Sequence, residues 1–232
     1  MSSSLWAAIF DWDGVIIDSA AHHEKSWDRL AGLEKLHLPP GHFKRGFGMK
    51  NEKIIPDLLQ WTQDAAEIQR LSLRKEVLYR EILTESGLSP LPGVKTWLER
   101  LRDARIPCAI GSSTHLLNIQ TSLGLIYLES YFSAIVSAED VEHGKPHPDV
   151  FLKAAKKLGV PPARCVVFED AQAGIQAARA AGMKVIGVAT THPASSLRDV
   201  DRTVERLDEL RIEEIANWFR PESISAAASS VK

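Results

Sequence analysis

Two aspartates two residues apart, Asp11 and Asp13, stand at the end of a short apolar run from Leu5 to Phe10. The run reads as a buried strand. Side chains alternate along extended backbone, so Asp11 and Asp13 leave on one side and Trp12 on the other. Gly14 then lets the chain turn sharply without a Cβ penalty. Two acids crowded at a strand's carboxyl end are costly unless a cation or shared protons compensate them. In open α/β sheets that edge is where ligands bind. A pair of solvated turn carboxylates has the same local pattern, so this stretch alone leaves both readings open.

Further along, strand and helix candidates alternate. A helix over Val94 to Ala104 precedes a strand over Ile106 to Ile110, which runs into Gly111-Ser112-Ser113-Thr114. A helix from about His115 to Leu123 stops at Gly124, and Ala134 to Val136 is a strand. The loop Gly144-Lys145-Pro146-His147-Pro148 leads into a helix ending at Leu158. Cys165 to Phe168 is a strand closing on Glu169-Asp170, Ala171 to Ala181 a helix, and Lys184 to Val188 the last clear strand. Such alternation predicts an α/β fold with a parallel sheet covered on both faces.

Residues from about 18 to 88 read differently, as a nearly all-helical insert. Ser19 is placed to cap a helix running to about Leu33, in which His23, Trp27 and Leu30 share one face. An inward histidine is more often a satisfied core residue than a catalytic one. A basic, glycine-punctuated loop follows, Lys44-Arg45-Gly46-Phe47-Gly48-Met49-Lys50, whose cations read as solvated surface. A shorter helical stretch around Glu52 to Trp61 is interrupted or kinked by Pro56. A long helix from about Asp64 to Ser86 closes at Gly87. Within it Leu71, Lys75, Leu78 and Ile82 form one stripe, so Lys75 either snorkels out of an apolar face or reaches a cleft. Glu76 and Arg80, four apart, read as a surface pair.

Composition narrows the function classes. With 44% hydrophobic and 25% charged residues over 232 positions, the chain is ordinary for a globular protein with a sizeable core. A net charge of −2 points to neither nucleic acid nor an anionic membrane as partner, and no apolar run reaches transmembrane length. The start leads straight into a core strand with no signal-like segment ahead of it. The only cysteines, Cys108 and Cys165, head strand candidates and read as buried free thiols. The expectation is a reducing compartment, the cytoplasm, or an organelle if a targeting segment has been removed.

Right-handed crossovers place all strand carboxyl ends of a parallel sheet on one side. Asp11, Asp13, Ser112, Lys145, Glu169 and Asp170 should therefore converge. Several carboxyl oxygens call for a hard cation, and Mg²⁺ suits an open site where substrate phosphate completes the shell. A serine hydroxyl, a lysine and helix N-terminal amides suit phosphate oxygens. Pro146 biases Lys145 towards extended backbone.

This constellation resembles the haloacid dehalogenase superfamily. Phe10-Asp11-Trp12-Asp13-Gly14-Val15 is similar to its first motif and Ile110-Gly111-Ser112 to its second. Gly144-Lys145-Pro146-His147-Pro148-Asp149 is similar to the third, and Phe168-Glu169-Asp170-Ala171-Gln172-Ala173-Gly174-Ile175 to the fourth. The resemblance implies a Rossmann-like core over 1–17 and 89–225, an inserted helical cap over 18–88, and a flexible tail at 226–232. It implies that Asp11 is a nucleophile forming an aspartyl-phosphate, and that Asp13 is the general acid and later the base. Asp11, Asp13 through its main-chain oxygen, Glu169 and Asp170 would hold Mg²⁺, while Ser112 and Lys145 would hold the phosphoryl group.

In the branch containing β-phosphoglucomutase and many sugar-phosphate phosphatases, His23, Trp27, Lys75 and Tyr79 stand where cap residues of the mutase-like members would be expected, and His23, Lys50 and Lys75 are the candidate substrate contacts. The expected function is a Mg²⁺-dependent phosphatase of a small phosphorylated sugar or related metabolite. The rivals are a mutase moving phosphate within a hexose and a non-enzymatic binder of phosphorylated ligands. A mutase of that branch carries an arginine after a cap turn, where this chain offers only Lys50. Asp11→Asn is expected to keep the fold and phosphate binding while abolishing turnover, because a neutral amide cannot attack phosphorus. Wild-type-like phosphate release by that variant would remove Asp11 from the role.

Overall fold

The computed structural model describes residues 6–46 and 49–220. The expected tail at 226–232 and the Phe47-Gly48 turn of the cap loop lie outside the described residues. The first strand, β1 (Ala7–Phe10), is buried throughout and sits near the centre of a six-stranded sheet. Its partners are β2 (Cys108–Gly111) and β4 (Cys165–Glu169), and every pairing in the sheet is parallel. With β3 (Ala134–Val136), β5 (Lys184–Val188) and β6 (Arg202–Val204) the order is β3-β2-β1-β4-β5-β6.

Strand alternation divides the interior in two. Ala8, Phe10, Ile110, Val166 and Phe168 face one core, shared with Trp97 and Leu101 and with Ile119 and Leu123. Ala7, Ile9, Ala109, Val167 and Val185 face the other, shared with Phe151, Ala154 and Ile175. The first core is covered by α5 (Val94–Asp103), α6 (Leu116–Ile126) and α9 (Ile212–Asn217). The second is covered by α7 (Asp149–Leu158) and α8 (Gln172–Ala180).

A third apolar cluster belongs to the insert. There Trp27 and Leu30 of α1 (Ala20–Glu34) meet Leu71 and Leu78 of α4 (Ala65–Ser86), with Ile54, Ile55 and Leu59 between them. Asp64 caps α4, its carboxylate accepting from the Glu67 amide at 2.8 Å. Two short helices, α2 (His42–Gly46) and α3 (Asn51–Lys53), complete the insert. The chain enters and leaves it side by side, since Ile17 bridges Pro90 and the Leu91 amide donates to the Ile16 carbonyl at 2.9 Å.

Several expectations are corrected. Residues 44–46, read as the start of a basic loop, belong to the helix α2. The helix expected to stop at Gly124 continues through it and ends only at Tyr127, which takes a left-handed φ of 56°. An interior glycine costs a helix only about 1 kcal/mol, and buried Leu123 and Ile126 outweigh that. Lys184 to Val188 is not the last strand, because β6 adds three residues at the sheet edge. Both cysteines are buried and free, as expected. Among the described residues no helix is long and apolar enough to cross a membrane.

Phe168 joins the sheet to its first core. Its ring stacks on Phe10 with centroids 4.4 Å apart and lies 6.1 Å from Trp97, with no exposure to solvent. Phe168→Ala is expected to lower the unfolding free energy by about 3–5 kcal/mol, read as a lower denaturant midpoint at unchanged slope.

Candidate active site

The carboxyl ends of β1 and β4 bring the acids together. The Asp11 amide donates to the Phe168 carbonyl at 2.9 Å, extending the strand pairing as far as the first carboxylate. Lys145, from the loop before α7, reaches back between the strands. Its Nζ lies 2.7 Å from Asp11 Oδ1 and 2.8 Å from Glu169 Oε2. The other Glu169 oxygen accepts from the amides of Asp170 and Ala171 at 3.2 and 3.0 Å, which pins it to the start of α8. Asp11, Glu169 and Asp170 are 9%, 1% and 4% exposed, so three buried carboxylates face one largely enclosed ammonium.

That imbalance registers in their proton affinities. Burial, reinforced by the Asp11 charge, pushes the Glu169 carboxyl well above the usual carboxylate range. Burial and Asp11 likewise raise Asp170, against a hydrogen bond from Thr191. Lys145 shifts the other way from what burial dictates, because Asp11 and Glu169 hold its ammonium above the ordinary lysine value. One oxygen from each of Asp11, Glu169 and Asp170 lies within 4.8 Å of the others. An all-oxygen donor set carrying excess negative charge fits a hard divalent cation such as Mg²⁺.

Asp13 stands apart from this cluster. Its carboxylate oxygens accept from the hydroxyls of Ser19, at the entrance to the insert, and Thr114, after β2. Burial raises its carboxyl to about 6, against the pull of those two hydroxyls. Ser112 is buried, and its oxygen accepts from the Thr114 amide at 3.1 Å, leaving its own hydrogen to donate. At both helix starts expected to meet phosphate, a carboxylate already holds some of the backbone amides. Glu139 accepts from the Leu116 amide at the start of α6, and Glu169 accepts from those before α8. Carboxylates are drawn to these positive helix ends.

The residues expected in the cap divide. Lys50 is exposed at the start of α3. Lys75 does not snorkel: at 3% exposure its Nζ lies 2.7 Å from His23 Nδ1 and 3.0 Å from Glu76 Oε1. His23 stacks on Tyr79 with centroids 4.0 Å apart. Burial and the neighbouring Lys75 hold its imidazole well below the usual value, so it is neutral and accepts the lysine hydrogen.

Glu76 is not half of a surface pair with Arg80. It is buried and also accepts from Asn51 at 2.7 Å and from Asn118 of α6 at 2.5 Å, while Arg80 donates to Asn118 at 2.8 Å. Thr114, Ser19 and Asn118 were not singled out for these contacts. Thr114 alone had a signal, its place two residues after Ser112.

Comparison with known proteins places the chain. It matches the haloacid dehalogenase-like hydrolases over residues 7–182 and belongs to that family. It is 36% identical to 5-amino-6-(5-phospho-D-ribitylamino)uracil phosphatase of Arabidopsis thaliana, a match covering 88% of this chain but 55% of that protein. It is 37% identical to a fructose-1-phosphate phosphatase of Escherichia coli, covering 78% of this chain and 94% of the relative. It is 34% identical to β-phosphoglucomutase of Bacillus subtilis, covering 89% and 92%. Among solved structures, a family IA hydrolase of this class from Entamoeba histolytica superposes with a TM-score of 0.82 at 29% identity, covering 92% of this chain and 99% of that one.

Burial alone would raise the Glu76 carboxyl, but Lys75 and the Asn118 and Asn51 amides hold it at about 2. Lys75 does not gain equally, since burial pulls its ammonium below the ordinary value despite Glu76. A carboxyl depressed from 4.5 to about 2 stabilises the fold above pH 4.5, and the contribution is lost as pH falls through 2. Glu76→Gln is therefore expected to cost on the order of 3 kcal/mol near neutrality. The gap to wild type should close on acidification, as chemical denaturation at stepped pH would measure.

Proposed function

We propose that the chain is a Mg²⁺-dependent phosphatase of a small phosphorylated sugar or related metabolite, working through an aspartyl-phosphate on Asp11. The observation that carries this reading is the Lys145 ammonium set between Asp11 and Glu169 at 2.7 and 2.8 Å. It offsets the negative charge of the carboxylate it pairs with and of an approaching phosphoryl group, so that the two can meet. The names of the Arabidopsis and Escherichia coli relatives, both phosphatases of phosphorylated metabolites, support the same class.

Asp11, Glu169 and Asp170, with the Asp13 main-chain oxygen, would hold the cation. When bound, Mg²⁺ supplies charge neutralisation to phosphoryl oxygens and fixes their orientation. An Asp11 oxygen attacks phosphorus as the bond to the sugar oxygen breaks. Asp13, whose carboxyl sits at about 6, gives its proton to that leaving oxygen. It then takes a proton from water as water attacks the aspartyl-phosphate, and the Asp11–phosphorus bond breaks to release inorganic phosphate. Ser112 donates to a phosphoryl oxygen, and residues 18–88 act as a cap over the substrate, with His23 and Lys75 at its base.

The mutase reading draws on the Bacillus relative. A mutase needs a second, fixed cationic phosphate site in its cap. Lys50 is exposed, and Lys75 is committed to Glu76 and His23. Those placements favour hydrolysis.

The decisive experiment is phosphate release across a panel of phosphorylated metabolites, with and without chelator. At least one sugar phosphate should release phosphate, with activity lost in chelator and restored by Mg²⁺ but scarcely by Ca²⁺. β-Glucose 1-phosphate with a trace of glucose 1,6-bisphosphate should give little glucose 6-phosphate. Rapid glucose 6-phosphate formation without free phosphate would make the chain a mutase, and full activity in chelator would reject the metal.

A further inference from the structure

The loop that carries Lys145 bears a second cluster of metal-competent side chains that the phosphatase chemistry leaves unused. His143 Nδ1 lies 3.6 Å from Asp149 Oδ2, and His147 Nδ1 lies 3.1 Å from Asp149 Oδ1. The two imidazoles are 4.8 Å apart between centroids and tilted by 37°. One donor atom from each of the three residues falls within 4.8 Å of the others. We infer that His143, His147 and Asp149 form a binding site for a Zn²⁺-class divalent cation, separate from the cluster of Asp11, Glu169 and Asp170.

Donor chemistry sets the class of ion. Two imidazole nitrogens with one carboxylate suit Zn²⁺, Co²⁺ or Ni²⁺, whereas Mg²⁺ prefers an all-oxygen shell. Distances agree. Bonds of ~2.0–2.1 Å at tetrahedral angles set donor atoms ~3.3 Å apart; the nitrogen–oxygen separations, 3.6 Å to Oδ2 and 3.1 Å to Oδ1 of Asp149, lie on either side of that value. Both rings are largely exposed, so small rotations complete the approach without disturbing a core.

The scaffold is fixed where it needs to be. The His147 amide donates to the Gly144 carbonyl at 3.0 Å, a turn that returns both histidines to one side. Asp149 opens α7, whose following turn buries Val150 and Phe151. Its negative charge also suits the positive end of that helix. Two imidazoles merely hydrogen-bonding a shared carboxylate would look alike at rest, and metal titration separates the two cases. Three protein ligands leave a coordination position for water. Because the ligands stand on either side of Lys145, an ion held there ties both ends of its turn to α7.

The test is equilibrium dialysis against Zn²⁺ in excess Mg²⁺, paired with visible absorption during Co²⁺ titration. The wild-type chain should take up one Zn²⁺ and develop Co²⁺ ligand-field bands. His143→Ala and His147→Ala, at exposed positions, should keep the wild-type Tm without metal, weaken Zn²⁺ binding by roughly tenfold or more, and lose the bands. Asp170→Asn should bind Zn²⁺ as wild type does. Absence of uptake by wild type, unchanged uptake in both histidine variants, or loss of uptake in Asp170→Asn would each overturn the site.

Discussion

One half-buried ammonium lets the end of this sheet exist. Asp11, Glu169 and Asp170 leave neighbouring strands into a largely buried space, where unpaired anions are costly. Lys145 spans two of them and is the only lysine that an ion pair places there among the described residues. The glycines around it follow from the same crowding. A Cβ at Gly174 would stand 2.0 Å from a Glu169 carboxylate oxygen, and one at Gly14 would stand 2.0 Å from an Asp170 oxygen. Gly14 also holds a φ of +79°, which only glycine takes readily.

The convergence of Asp11, Lys145, Glu169 and Asp170 was legible because it depends on topology alone. Parallel strands with right-handed crossovers leave no other place for their carboxyl ends. The sheet's burial on both faces was legible too, in unbroken runs such as Ala7–Phe10 and Cys165–Glu169. What escaped depends on contacts between distant segments. Glu76 and Arg80 have the spacing of a surface pair, and only the arrival of Asn118, 42 residues beyond Glu76, makes that face an interior. Thr114 and Ser19 have side chains common in any loop, and only the fold turns both towards Asp13. The edge strand β6 has three residues, two of them half-exposed, and so carries no apolar run to notice.

The polar cluster around Glu76 gives the insert a specific seat on the core. Apolar packing of α1 against α4 holds the insert together, but it is indifferent to small rotations. A carboxylate that accepts at once from Asn51 of the insert and Asn118 of the core is not, because displacement strands a buried charge. Lys75 and His23 share that network, and the Asp13 charge bears on the same ammonium. Proposed catalytic chemistry and helix packing therefore draw on neighbouring members of one polar system.

The adjacent crossings at Ile17 and Pro90 also bear on how the chain folds. β1 must find Cys108 across a hundred positions from Ala8, and Val166 from farther still. Separations of that kind make sheet assembly slow. Once the helical insert has gathered its own apolar cluster and the Ile17–Pro90 bridge has closed, the route from β1 to β2 bypasses the insert. A route roughly four times shorter lowers the closure entropy by about 1 kcal/mol. An insertion that interrupts the core in sequence thus serves as a local hairpin in its assembly, and the centre of the sheet can form as though the segment were a short loop.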